Sequence, residues 1–70
     1  MDLERIGKRI KEIRLEQELS QQKFGNLLSV SQDTISLWEK GKSAPTTEFL
    51  IAIATKFNVS VDYILCLTDY

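Results

Sequence analysis

Gln32 and Ser36, and Asp33 and Leu37, are paired one helical turn apart. At about 100° per residue these four fall on one side of a helix, and Ser31, Ile35 and Trp38 fall on the other. An amide, a carboxylate and a hydroxyl along an exposed helix suit the major groove of DNA, where base edges present paired donors and acceptors. Gln32 is the leading base-reading candidate, because a glutamine can pair bidentately with adenine N6 and N7. Asp33 has two readings. It either accepts from cytosine N4 or stabilises the helix N-terminus by its charge. Leu37 also has two: contact with a thymine methyl, or an apolar surface residue with no role. Thr34 and Ser36 are in place for a phosphate or a base edge. Trp38 is a stacking candidate by type, but its phase with Ile35 assigns it to the core.

These side chains need elements to hold them. Ser31 is an N-cap for the helix over 31–39, and Gly41 is a helix-stop glycine after it. Ser20 is an N-cap for a preceding short helix, with Phe24, Leu27 and Leu28 at helical spacing. Ser20 to Lys42, SQQKFGNLLSVSQDTISLWEKGK, therefore reads as two short helices joined by a tight turn at Leu28-Ser29-Val30. Gln21 follows the Ser20 cap, where free backbone N–H groups can meet a phosphate. Lys23, Lys40 and Lys42 are the cations of this stretch. The two flanking Gly41 complement the helix C-terminus and are candidates for clamping phosphates.

On the N-terminal side, Leu3, Ile6, Ile10 and Ile13 predict an amphipathic helix from Leu3 to about Gln17, with Asp2 as N-cap. On the C-terminal side, Ser43-Ala44-Pro45 reads as a loop and Thr46 as the cap of a fourth helix. That helix carries the stripe Leu50, Ile53, Ala54 and Phe57. Its first turn, Thr46-Thr47, is a further phosphate candidate. Ser60 caps a last helix from Val61 to about Leu67. Tyr63, Cys66, Leu67 and Tyr70 are expected to leave an apolar patch suited to a dimer contact.

The bulk numbers narrow the classes. A chain of 70 residues allows one domain over 1–70 with a small core, burying about 60% of its unfolded surface. The 43% hydrophobic and 27% charged content is that of an ordinary globular domain. The net charge of −1 does not announce a nucleic-acid binder. Its distribution is more telling. Residues 20–42 carry Lys23, Lys40 and Lys42 against Asp33 and Glu39, whereas residues 43–70 carry Lys56 against Glu48, Asp62 and Asp69. The acid excess sits away from the proposed DNA face, so binding should be modest and salt-sensitive. One cysteine excludes an intrachain disulfide and fits a reducing compartment. No apolar stretch is long enough to span a membrane. The absence of histidine removes the commonest general base and metal ligand, and with no phosphate-binding glycine loop an enzyme is not expected.

The chain resembles the lambda-repressor-like, Cro-type helix-turn-helix DNA-binding domains (also called the xenobiotic-response-element type) of phage and bacterial regulators. The resemblance runs from about Ile6 to Asp69. It is carried by Arg14, Leu19-Ser20-Gln21, Ile35-Ser36, Trp38-Glu39-Lys40-Gly41-Lys42, Pro45, Ile53-Ala54 and Val59-Ser60-Val61-Asp62-Tyr63-Ile64-Leu65. It implies an all-α, compact five-helix fold with the helix-turn-helix at about 20–40. It implies an ion pair between Arg14 and Glu39. It implies that Gln21 touches the DNA backbone and braces the first residue of the recognition helix. The chain departs from the family at three places. Glycine is usual where Ser29 and Cys66 stand, and arginine or another polar residue where Leu37 stands.

The resulting expectation is a sequence-specific regulator of transcription, a repressor, with helix 31–39 in the major groove of double-stranded DNA. Gln32, Asp33, Ser36 and Leu37 would face bases. Gln21, Lys23, Thr34, Lys40, Lys42 and Thr46 would hold the backbone. A homodimer would read a palindromic operator in the cytoplasm, with no cofactor, metal, small-molecule ligand or membrane involved. The chain would be either a complete small regulator or the front of a longer one. The competing expectation, from the acidic balance, Asp33 and Leu37, is a protein-interaction module that uses the same fold without reading DNA.

Overall fold

The computed structural model describes residues 2–70. Among them are five helices and no strand: α1 (Leu3–Glu16), α2 (Gln21–Leu28), α3 (Gln32–Glu39), α4 (Thr47–Phe57) and α5 (Val61–Ile64). Four starts follow one mechanism. The side chains of Asp2, Ser20, Ser31 and Ser60 accept from the backbone N–H groups of Arg5, Lys23, Thr34 and Tyr63. Each supplies an acceptor to a donor that has no partner within its helix. Thr46 differs from expectation. It occupies the N-cap position of α4 in extended backbone, but its hydroxyl makes no capping bond.

The helix ends also share one device. Glu18, Ser29, Gly41, Asn58 and Cys66 each have a left-handed backbone, with φ between +55° and +72°. In each case the next residue's N–H bonds back to a carbonyl five residues earlier: Leu19 to Arg14, Val30 to Gly25, Lys42 to Leu37, Val59 to Ala54 and Leu67 to Asp62. This turns the chain and satisfies carbonyls left over at the helix end. Ser29 thus adopts the strained backbone for which the family uses glycine. Cys66 does the same, and it corrects the expected extent of the last helix. The helix stops at Ile64, not near Leu67, because Cys66 and Leu67 fold back onto the carbonyls of Tyr63 and Asp62.

The core is Ile6, Ile10, Ile13, Phe24, Leu28, Ile35, Trp38, Ile53 and Ile64. Phe24 stacks on Phe57 at 5.2 Å, joining α2 to α4, and Trp38 meets Phe49 at 5.4 Å, joining α3 to α4. Trp38 is 4% exposed, as its phase predicts. Leu27 is not part of this core; it lies exposed on α2.

The residues of the expected apolar patch line two recesses. Tyr63 and Tyr70 line a shallow groove with Glu16, Val59 and Asp62, while Cys66 and Leu67 line a separate recess with Asp2 and Arg5. Tyr63 is also covered. The Arg9 guanidinium lies over its ring, 4.0 Å from the centroid, and donates to the Tyr63 carbonyl. Only Leu67 and Tyr70 remain largely open, at 73% and 91%.

Candidate nucleic-acid interface

Two helices fix α3 in place. On one side is α2, where Gly25 allows contact: a Cβ there would stand 2.7 Å from the Val30 carbonyl oxygen and 3.4 Å from Ile35 Cγ1. On the other side is α1, where Gly7 packs on the last turn of α3. A Cβ at Gly7 would collide with the carbonyl oxygens of Trp38 and Glu39, the latter at 2.8 Å. Gly7 was not singled out in the sequence, although a signal was present. It lies two turns before Arg14, so both residues face the same neighbour.

The same seam holds an ion pair. Arg14 Nε donates to Glu39 Oε2 over 2.7 Å and Arg14 Nη2 to Glu39 Oε1 over 3.0 Å. The two side chains are 9% and 5% exposed. The third guanidinium nitrogen, Nη1, donates to the Leu19 carbonyl over 2.9 Å, tying the α1–α2 connection to the pair. Among the described residues, no buried side-chain nitrogen or oxygen lacks a partner. A planar guanidinium suits this double contact.

The network continues outward. Gln21 Nε2 donates to Glu39 Oε1 over 3.1 Å, and Gln32 Nε2 donates to Gln21 Oε1 over 3.5 Å. A carboxylate paired with a guanidinium can only accept, so Gln21 must turn its NH₂ to Glu39 and its oxygen to Gln32. Gln32 must in turn offer its NH₂ to Gln21. One N–H and the oxygen of Gln32 are left for a ligand. That donor–acceptor pair complements adenine N6 and N7.

The remaining candidates divide clearly. Gln32, Asp33 and Leu37 are exposed on α3, while Ser36 and Thr34 are half-buried. The Thr34 hydroxyl lies 3.0 Å from that of Ser31 and so shares in the helix cap. Lys23, Lys40, Lys42 and Thr46 are all exposed. Since Arg14 takes up the charge of Glu39, Asp33 is the one acid of residues 20–42 without an ion pair, against three exposed lysines. Among the described residues no acidic, histidine or cysteine cluster could hold a metal ion, and no helix is long and apolar enough to cross a membrane.

A helix-turn-helix family profile matches residues 10–64. Over 55 residues the chain is 40% identical to the antitoxin PezA of Streptococcus pneumoniae serotype 4, a match covering 79% of this chain and 35% of that protein. Over 65 residues it is 32% identical to repressor protein C2 of Salmonella phage P22, covering 93% of this chain and 30% of that protein. The chain thus spans about a third of the length of these relatives. The crystal structure of the P22 c2 repressor with synthetic operator 9T superposes with a TM-score of 0.79 at 32% identity, over 84% of this chain and 89% of that one. The matched residues take in α2, the turn and α3, with Arg14 and Glu39 on either side of the seam. On this sequence and structural agreement, the chain belongs to the lambda-repressor-like helix-turn-helix family.

Proposed function

We propose that this chain binds double-stranded DNA in a sequence-specific manner and regulates transcription as a repressor, as one domain over residues 1–70. The recognition helix α3 enters the major groove. Gln32 reads a base edge, with Asp33, Ser36 and Leu37 beside it. Gln21, Lys23, Thr34, Lys40, Lys42 and Thr46 hold the sugar-phosphate backbone. Two copies on a two-fold axis read half-sites about 34 Å apart, or a multiple of that spacing, in a palindromic operator. The site of action is the cytoplasm, at the nucleoid.

The observation that carries this reading is the amide chain from buried Glu39 through Gln21 to exposed Gln32, which leaves one N–H and the oxygen of Gln32 free for a ligand. It is supported by the likeness to a repressor crystallised on operator DNA. Exposed Lys23, Lys40 and Lys42 supply the counter-charge for phosphates.

The test is selection from a random duplex pool with the purified 70-residue chain at low salt. Enrichment of a palindrome supports the dimeric regulator, and its spacing gives the geometry. Enrichment of a single half-site supports DNA reading without a dimer. Failure to enrich any duplex by folded, monodisperse protein removes the proposal and favours the protein-interaction module.

A further inference from the structure

Leu37 is the least explained side chain of α3. It is 46% exposed on the helix whose core stripe, Ile35 and Trp38, is fully accounted for. The helix under it cannot easily shift, because Trp38 and Glu39, the two residues that follow it, are held against Gly7 and Arg14. Its neighbour one turn earlier on the same outer face is Asp33, also exposed. This pair offers a base edge no hydrogen-bond donor at all.

From this we infer that Leu37 reads the 5-methyl group of a thymine. The inference rests on the DNA-binding reading above and deepens it. In the major groove, guanine presents only acceptors along its edge, at N7 and O6, and nothing in the Asp33–Leu37 pair can satisfy them. Thymine also presents an acceptor, O4, but it adds a C5-methyl that projects into the groove and is met by an apolar surface, and its paired adenine offers an N6 amino group. Leu37 supplies that surface at a fixed position. Asp33 beside it accepts from an exocyclic amino group, of cytosine N4 or adenine N6, and repels a second acceptor. The half-site therefore combines an adenine under Gln32 with a thymine under Leu37, and it discriminates against guanine there.

The experiment replaces each thymine of the selected duplex, one at a time, by deoxyuridine, which removes the methyl alone. Affinities are measured by fluorescence anisotropy at fixed low salt. The expected result is one position per half-site at which deoxyuridine weakens binding by about fourfold, the value of one buried methyl group. The variant Leu37→Ala, altered at an exposed site and checked for helix content, should bind the thymine and deoxyuridine duplexes equally. Two results would overturn the inference: every deoxyuridine substitution neutral with the unaltered chain, or the penalty persisting in Leu37→Ala. In both cases the DNA-binding reading still stands, because a duplex has been selected. If no duplex is selected at all, both fall together.

Discussion

Gln21 donates to Glu39 across 3.1 Å, and this single bond sets the polarity of everything outward of it. Glu39 is itself clamped by Arg14, so the orientation begins inside the protein and ends at the exposed carboxamide of Gln32. Replacing Glu39 by alanine leaves a buried guanidinium unpaired and should lower the unfolding free energy by about 3–5 kcal/mol. Replacing both partners with apolar residues, Arg14→Met with Glu39→Leu, should cost less than Glu39→Ala alone. Urea denaturation of the two variants beside the parent measures this. In Glu39→Gln the amides lose their fixed direction, so duplex selection should return a relaxed preference at the position under Gln32.

Gly7 touches no proposed DNA contact, yet it should matter for binding. Gly7→Ala forces a Cβ into the carbonyls that end α3. The expected cost is about 1–3 kcal/mol of stability, together with displacement of the helix that carries Gln32. Lys8→Ala, at the exposed next position, is the matched control and should leave the stability near that of the parent. Urea midpoints and duplex affinity, measured side by side, separate the two variants.

The left-handed helix ends predict gains in stability. Glu18, Ser29 and Cys66 hold φ values of +57°, +61° and +62° with side chains that disfavour them. Changing each to glycine removes a steric penalty, against some loss of unfolded-state rigidity. Each change should stabilise the fold by about 0.5–1 kcal/mol, and the three should add, because they end different helices. Thermal melting of the single and triple variants is the check.

Gln32 and Lys42 should fail in different ways. Gln32→Ala should cost about 1–3 kcal/mol of binding on the selected site and relax preference at one position. Lys42→Ala should weaken all duplexes alike and reduce the salt slope by about one ion. A Gln32→Ala protein that still selects the parent sequence would remove the base-reading role from that residue.

Much of this was legible in the chain itself. Ser20, Ser31 and Ser60 announce helix starts because a hydroxyl before an apolar periodic run has one dominant use, and Trp38 falls inward by phase alone. What escaped depended on contacts distant in sequence. Arg9 looks like one more charge on a solvated helix, yet it lies over Tyr63, far along the chain, and donates to the Tyr63 and Thr68 carbonyls. No local pattern encodes that meeting. The cover over Tyr63 was not legible for this reason, since periodicity gives the face of a helix but not what covers it. The last helix was overestimated because a cysteine carries no stop signal; only its backbone angle does. At Thr46 the position was legible and the hydrogen bond was not. Of the interface, residue types and phase marked Gln32 as exposed, but only the geometry fixes which way its amide faces.

The recess shared by Asp2, Arg5, Leu65, Cys66 and Leu67 has a topological consequence. Cys66 Sγ lies 3.5 Å from the Arg5 carbonyl oxygen, so the first and last helices meet. The domain is in effect a ring of helices cut at the seam between α5 and α1. Joining that seam by a short linker and opening the ring at the exposed Ala44 should give a circular permutant with the same fold. The order in which the helices leave the ribosome is then incidental to the architecture, which is set by how the five pieces close around Ile10, Phe24 and Ile53.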